Sequence, residues 1–254
     1  MIIVDTHCHI GLHKYEPVES LLYHMQNTGV DKAVFIQYGG NSDNQYMIDS
    51  MAAHPILFQA AMIVAPTDDG THIRQWAEKG IVGIRLPAGS QAQGSDPLIQ
   101  WRTAAERGLI VSAPSNPQSL LGENFASVLK ACPNLSIVIE HLGGIGFDQK
   151  APYETFQKIL KLAQYPNLTI KMPGFGEFCR VPLPFDPIPP LVDMTLEAFG
   201  PQRVMWGSDY PPVSSREGYE NSLRVPMDYL DKLSEDERAW IFGKTALHVW
   251  QFVP

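Results

Sequence analysis

The amino-acid sequence predicts an α/β protein with a single domain, residues 1–254, folded as a (β/α)8 TIM barrel. Short apolar runs alternate with stretches of helical periodicity along the whole chain, and eight such runs are present. No internal repeat or linker divides them. An open doubly wound sheet is the alternative, but it needs a glycine-rich phosphate turn after its first strand, and His7-Cys8-His9-Ile10-Gly11 is not such a turn.

The predicted strands begin almost at the first residue. An apolar run at residues 2–4 starts the first strand and leads directly to two histidines. A helical stripe over residues 18–25 follows, and Gly29 ends that helix. The other seven strands are predicted at residues 33–36, 57–64, 81–85, 109–111, 135–141, 168–171 and 204–209.

Helical signals separate several of these strands. A helical stripe covers residues 73–77, and an Asp-Pro pair opens a helix at residues 96–107. Ser234 and Glu237 form a capping-box pattern for a last helix that runs towards Trp250. Each strand is therefore followed by a short connection or a helix, as a closed parallel barrel requires.

The irregular stretches are predicted to determine substrate specificity. Residues 173–190 form the longest of them and are rich in Pro, Gly and Phe, which predicts a lid over one end of the barrel. Residues 41–44 and 89–95 are the other two loops in which we expect specificity to lie.

Composition narrows the location and the partners. Nineteen Lys and Arg residues against 27 Asp and Glu give a net charge of −8. The sequence has no basic run that would neutralise phosphates, so a nucleic-acid partner is not expected. The three cysteines show no paired spacing, no secretory leader precedes the first strand, and no apolar stretch has the length of a membrane span. We therefore expect a cytoplasmic protein without a membrane partner; the sequence gives no prediction of its oligomeric state.

Polar residues end several of the apolar runs. His7 and His9 are two residues apart in a strand, so their side chains share one side, whereas Cys8 points to the other and is predicted to pack. His141 and Asp209 end the sixth and eighth strands. Because the carboxyl ends of barrel strands build the active site, we expect these four polar side chains to meet there.

Three ordered segments then identify a family resemblance that covers almost the whole chain. They are Asp5-Thr6-His7-Cys8-His9, Ile139-Glu140-His141-Leu142-Gly143-Gly144 and Trp206-Gly207-Ser208-Asp209-Tyr210-Pro211. With them the chain resembles the amidohydrolase superfamily, its amidohydrolase-related (amidohydrolase 2) family, and most closely the subgroup of lactonases and pyrone-dicarboxylate hydrolases.

The resemblance implies roles for the polar residues. It implies that Asp209 is a general base acting on water, and that His7 and His9 bind a divalent metal or polarise a substrate carbonyl. His141 is expected to help stabilise the oxyanion. The catalytic residues expected on this basis are Asp209, His7, His9 and His141.

Departures from the family pattern limit the metal site. The fifth strand reads Val111-Ser112-Ala113-Pro114, without the histidine that metal-bound relatives usually add there, and the fourth strand carries Arg85 where two-metal relatives have a modified lysine. A two-metal site is therefore not expected. Two alternatives stay open: one divalent metal such as Zn²⁺, held by His7, His9 and Asp209, or catalysis without a metal.

Further residues are predicted to bind the substrate, which we expect to be a small anionic or polyhydroxylated molecule. Arg85 suits a carboxylate or vicinal hydroxyls, although an ion pair with an acidic residue is its alternative. Gln37 is a donor or an exposed loop residue, and Tyr210 lines the rim of the site or packs. Lys171 on the seventh strand faces either the site or the helical shell.

The leading functional hypothesis is a hydrolase that opens a lactone or similar cyclic ester, a sugar lactone or a carboxylated pyrone, with water activated by Asp209. The alternative, also implied by the resemblance, is a metal-dependent non-oxidative decarboxylase. A barrel that binds without catalysis is a third hypothesis, although such a protein has no need of desolvated polar groups at its strand ends.

Overall fold

The structure, a computed structural model, describes residues 1–252; residues 253 and 254 of the predicted domain lie outside the described part. Eight parallel strands pair in sequence order, which confirms the predicted (β/α)8 barrel. Their bounds are β1 Val4–Cys8, β2 Lys32–Ile36, β3 Phe58–Met62, β4 Gly83–Arg85, β5 Ile110–Ala113, β6 Ile137–Ile139, β7 Leu168–Pro173 and β8 Val204–Gly207.

Backbone hydrogen bonds bring the first strand to the segment that follows the last one. Cys8 forms a parallel bridge with Tyr210, and the His9 amide donates to the Tyr210 carbonyl over 2.7 Å. The Asp209 amide in turn donates to the His7 carbonyl over 2.8 Å. This seam between β1 and β8 closes the barrel at the end where the strands finish.

Helices connect the strands around the barrel. Within residues 1–252 they are α1 Val18–Thr28, α2 Gln45–Ala53, α3 Thr71–Glu78, α4 Ile99–Glu106, α5 Pro117–Leu120, α6 Glu123–Ala131, the turn α7 His141–Gly144, α8 Glu154–Leu160, α9 Leu191–Phe199, α10 Gly218–Tyr229, α11 Glu235–Ala239 and α12 Thr245–Val249. The Gly29 cap and the capping box of Ser234 and Glu237 are confirmed. None of these helices is long and apolar enough to cross a membrane.

Two apolar clusters hold the barrel together. Val34, Ile110, Val138 and Met205, all fully or almost fully buried, belong to a smaller cluster that also includes Trp250 from the end of the last helix. A larger cluster includes residues from the strands and from the helices around them. The observed strands are shorter than the apolar runs; Val64, for example, is buried beyond the end of β3 without pairing in the sheet.

Candidate active site

Three imidazoles surround one carboxylate oxygen at the carboxyl ends of the strands, which we call the mouth of the barrel. Asp209 Oδ1 lies 3.8 Å from His7 Nε2, 3.5 Å from His9 Nε2 and 3.9 Å from His141 Nε2. The His7 ring centroid is 4.9 Å from that of His9 and 4.3 Å from that of His141. The structure therefore brings together the four residues, hereafter the His–Asp cluster, that the sequence predicts as catalytic.

The backbone of β1 departs from a regular strand just where it presents the histidines. Asp5 pairs with Ala33 and Cys8 with Phe35, so β1 carries one extra residue between these two pairs. Such a bulge re-aims side chains. Across the seam, a Cβ on Gly207 would lie 2.7 Å from His7 Cβ, and only glycine permits this close approach of β8.

The other two members of the cluster have a left-handed backbone, which is uncommon outside glycine. His141 has φ 47° and Asp209 has φ 59°. The φ angles of Leu142, Gly143 and Gly144 are also positive, so that α7 is a left-handed turn rather than a helical one. Both residues leave their strands sharply, and their side chains turn towards the first strand.

Hydrogen bonds define the protonation of His9 and Asp209. His9 Nδ1 is 2.6 Å from the Ile36 carbonyl oxygen, which can only accept, so Nδ1 carries a proton and Nε2 faces Asp209. Burial disfavours ionisation of Asp209, but the hydrogen bond with His9 and the charges of His141 and Arg216 outweigh it and lower the pKa of Asp209. Asp209 is therefore a carboxylate at neutral pH.

A buried polar network lies beneath the cluster and consists of Arg85, Glu140, Ser112 and Lys171. Arg85 donates to Glu140 twice, over 3.1 Å from Nε and 2.7 Å from Nη2. Ser112 Oγ donates to Glu140 Oε1 over 2.7 Å, and Lys171 Nζ donates to Ser112 Oγ over 3.1 Å. Despite burial, the charges of Arg85 and Lys171 lower the pKa of Glu140 to about 2.

Lys171 connects this network to the cluster, because its Nζ lies 3.2 Å from His7 Nδ1. Of the two orientations predicted for Lys171, towards the site or towards the helical shell, the structure has the first. Burial lowers the pKa of Lys171 to about 8. Burial and the nearby charge of Lys171 together lower the pKa of His7 well below its usual value. A protonated Lys171 donates to Nδ1, so the neutral His7 ring carries its proton on Nε2, on the side of Asp209.

The donor set fits a single divalent cation. One ligand atom from each of His7, His9 and Asp209 lies within 4.8 Å of the other two, and three protein ligands with an open position are typical of catalytic zinc. Among the described residues, His7 Nε2 is buried without a hydrogen-bond partner. For this nitrogen to bind a cation, the ring proton must move from Nε2 to Nδ1 and Lys171 must accept it in a hydrogen bond as a neutral amine, so cation binding would release a proton.

Three residues predicted to bind substrate have other partners in the structure. The Arg85 guanidinium is held by Glu140 and by the Gln37 carbonyl at 3.1 Å, which is the ion-pair alternative. The buried Gln37 amide donates to the Asp43 carbonyl over 2.8 Å, and its oxygen accepts from the next backbone amide, so it is neither exposed nor free.

Tyr210 is also turned away from the mouth. Its ring is buried and packs against His24 of α1 and Tyr219 of α10, and its hydroxyl donates to Glu16. Asp209 therefore faces the cluster, whereas the next residue, Tyr210, faces the helices. Of the two sequence-based alternatives for Tyr210, packing is the one that the structure has.

Sequence reasoning missed residues that contact the cluster from loops. Arg216, after β8, has Nη2 at 3.2 Å from Asp209 Oδ2 and Nη1 at 2.9 Å from Glu177 Oε2. Tyr15, after β1, stacks on His9 with ring centroids 5.1 Å apart. Neither residue belongs to an apolar run, so periodicity gives no signal for them.

The predicted lid approaches the cluster through that arginine. Residues 174–190 follow β7, and Glu177 lies in a short 3-10 turn, Phe175–Glu177. Phe175, Phe178 and Phe185 of this segment are buried, so it is packed against the barrel. The guanidinium of Arg216 forms ion pairs with two carboxylates, that of Glu177 in the lid and that of Asp209 in the cluster.

Comparison with known proteins agrees with this architecture. A family model described as Amidohydrolase matches residues 4–252. A 4-sulfomuconolactone hydrolase of Hydrogenophaga intermedia is 23% identical over 247 residues, which cover 88% of this chain and 78% of that protein.

Two solved structures share the fold over almost their full length. An amidohydrolase from Burkholderia multivorans with bound Zn superposes with a TM-score of 0.83 at 17% identity and covers 100% of both chains. A probable 2-pyrone-4,6-dicarboxylic acid hydrolase from Acinetobacter baumannii, with citric acid bound, has a TM-score of 0.79 at 20% identity and covers 99% of this chain and 100% of its own.

Proposed function

The chain belongs to the amidohydrolase family, whose model spans residues 4–252, and on that premise we propose that it is a hydrolase that opens a lactone or similar cyclic ester. The observation that carries the proposal is one ionised carboxylate, Asp209, with three imidazole nitrogens 3.5 to 3.9 Å from its Oδ1. The name of the Hydrogenophaga relative, a lactone hydrolase, supports the same reaction class.

In the proposed reaction, Asp209 removes a proton from a water molecule whose oxygen attacks the lactone carbonyl carbon. His7, with its proton on Nε2, and His141 donate to the carbonyl oxygen as it gains negative charge. The ring C–O bond then breaks, and the proton held by Asp209 passes to the departing alkoxide. The product is the open hydroxy acid. A divalent cation held by His7, His9 and Asp209 would, when bound, take the place of the His7 Nε2 proton and supply Lewis-acid polarisation of the carbonyl.

The buried network supports the proposed role of His7. Lys171 holds Nδ1 as an acceptor, which leaves the Nε2 proton available on the side of Asp209. Lys171 is in turn held by Ser112 and, through it, by Glu140. These residues act through His7, so we propose them as positioning residues rather than catalytic ones.

Two arginines near the cluster bear on the charge that the substrate can carry. An anionic or polyhydroxylated substrate is predicted from Arg85, but Glu140 already neutralises that guanidinium. Arg216 is the other arginine near the cluster, and it is shared between Asp209 and Glu177. Both guanidiniums are thus already paired with carboxylates, so the predicted anionic or polyhydroxylated substrate has to be compared with uncharged lactones in the same assay.

The carboxylate of Asp209 offers the most direct test. We expect Asp209→Asn to lower kcat for lactone opening by about 10²- to 10⁴-fold, the usual contribution of a general base, while the circular dichroism spectrum stays unchanged. Asp193→Asn is the matched control, because Asp193 pairs with Lys232 at the surface. Normal turnover by Asp209→Asn would refute the proposal, as would equal losses in the two variants.

A further inference from the structure

A cavity of about 670 Å³ opens at the mouth beside the His–Asp cluster. It lies on the side of β2 to β5, whereas the cluster residues come from β1, β6 and β8. This volume is in the range of small-molecule sites. The segments that follow β2, β3 and β4 form most of its wall, together with Arg85 at the end of β4, Gln100 of α4 and Pro114 after β5.

Arg85 joins the cavity to the cluster. Its side chain lines the cavity, and its guanidinium bonds Glu140, the residue immediately before His141. A substrate whose carbonyl lies at the cluster can therefore extend past Arg85 into the cavity.

Hydrocarbon side chains are the largest group on the cavity wall, beside the uncharged polar side chains of Asn41, Ser42, Ser90, Gln91 and Gln100. Seven of its lining residues have hydrocarbon side chains: Ile63, Val64, Ala65, Pro66, Leu86, Pro87 and Pro114. Of the described lining residues Arg85 alone is charged, and Glu140 balances that charge. The Gln100 amide is committed to the Ala65 carbonyl at 2.9 Å and the Asp68 carbonyl at 3.2 Å.

These features select against polar substituents. Against the hydrocarbon part of the wall, a carboxylate would lose its hydration without gaining an unpaired cation, and hydroxyl groups would be left unsatisfied. An alkyl or aryl group would bury apolar surface on the same walls. We infer that the substrate, given the proposed lactone hydrolysis, is a lactone with an apolar substituent that occupies this cavity.

A series of δ-lactones that share one ring tests the inference. We expect kcat/KM to rise about fourfold for each methylene of an alkyl substituent until the chain fills the cavity, which corresponds to about 0.8 kcal/mol per methylene. Analogues with a carboxylate or hydroxyl groups at the same ring position should react more slowly than the alkyl lactones. Equal or faster hydrolysis of these polar analogues would overturn the inference and leave lactone hydrolysis standing.

Filling the cavity gives a second, independent readout. Ala65 is exposed at the cavity wall, so Ala65→Trp is expected to fold and to lower kcat/KM at least tenfold for the longest alkyl lactone, and less than threefold for the unsubstituted ring. Ala131→Trp on α6, also an exposed alanine and outside the cavity lining, is the control and should change neither value. Equal losses on both substrates would overturn the inference.

Binding separates this inference from the reaction itself. In Asp209→Asn, calorimetry should detect binding of the alkyl lactone that is at least tenfold tighter than binding of the unsubstituted ring, and Ala65→Trp should abolish the difference. That result supports the apolar subsite even if no lactone is hydrolysed and the proposed function fails. Equal binding of the two lactones overturns the subsite, whatever the activity.

Discussion

At the scale of single residues, the site depends on charges buried beneath it as well as on groups at the mouth. Glu140 is 1% exposed and accepts three hydrogen bonds, two from Arg85 and one from Ser112. The positive charges of Arg85 and Lys171 both stabilise its ionised form. Removing its charge would leave these cations without their counter-ion in a medium of low polarity.

We expect Glu140→Gln to lower the free energy of unfolding by about 3 to 5 kcal/mol at pH 7, the usual cost of breaking a buried ion pair. Glu106→Gln is the control, because the Glu106 carboxylate is exposed and pairs with Arg74 over 3.4 Å. That change should cost less than about 1 kcal/mol. Urea denaturation of both variants measures the difference, and equal costs would contradict a structural role for the network.

The same residue predicts how stability depends on pH. The pKa of Glu140 is about 2 in the folded protein, below its ordinary value of 4.5, so its contribution is present in full above pH 4.5. It is lost as the pH falls from 4.5 towards 2. The difference in unfolding free energy between the wild type and Glu140→Gln should therefore narrow between pH 5 and pH 3. A constant difference over this range would contradict the low pKa.

Residue-scale prediction from the sequence succeeds where a polar residue ends an apolar run. His7, His9, His141 and Asp209 have this pattern, and the structure places them together. Lys171 also ends a predicted strand, at residues 168–171, but alternation alone does not say whether its side chain faces the barrel interior or the helices. Arg216 and Tyr15 lie in loops, whose course depends on tertiary packing rather than on any period.

At the scale of elements, the left-handed turn α7 determines where His141 points. Gly144 in this turn has φ 72°, and a Cβ there would lie 2.2 Å from the Ser115 carbonyl oxygen. Neither the conformation nor the space admits a side chain. The turn therefore requires glycine in order to pack against the segment that follows β5.

We expect Gly144→Ala to destabilise the protein by more than about 1 kcal/mol and to lower kcat/KM, because the turn must shift and carry His141 with it. Gly146→Ala is the matched control two residues later: its Cβ would meet only Asp148 Oδ1, at 3.6 Å. Thermal denaturation and the lactone assay on both variants provide the measurement. Comparable losses in both would show that the turn has no special requirement at Gly144.

The elements themselves were predicted unevenly from the sequence. The helix α1 and the capping box of α11 follow from local signals, and both are confirmed. The helix α2 gave no clear signal: its segment Gln45–Ala53 has Met47 and Ser50 as its buried residues, so the apolar stripe is weak. The observed strands also end before the apolar runs that predicted them, because apolar residues after a strand can be buried by the loops above it.

At the scale of the whole molecule, closure of the barrel joins parts of the chain that are far apart in sequence. The buried carboxylate of Asp5 accepts from the Ser208 amide over 2.8 Å and from Ser208 Oγ over 2.6 Å. It also accepts from the His7 amide over 3.1 Å. The seam between β1 and β8 thus fixes His7 and Asp209 relative to each other through residues that do not themselves face the mouth.

Alternation and the order of the strands predict that the two ends of the barrel sequence meet, but not which groups hold them together. The Asp5 carboxylate and the Ser208 hydroxyl are short polar groups within apolar segments, and only closure gives them partners. The seam therefore makes a distinct prediction: weakening it should reduce stability and activity together, because the same contacts close the fold and set the distance from His7 to Asp209.

We expect Ser208→Ala to lower the free energy of unfolding by about 1 to 3 kcal/mol, since Asp5 Oδ2 loses a donor in a buried site. The lactone assay should show a fall in kcat larger than any change in KM, because the cluster is misaligned rather than the substrate excluded. Ser50→Ala is the control: the Ser50 hydroxyl is also buried, but it donates over 2.8 Å to the Tyr46 carbonyl within α2, a bond whose loss costs little. If Ser208→Ala were as stable and as active as Ser50→Ala, the seam would not be what aligns His7 with Asp209.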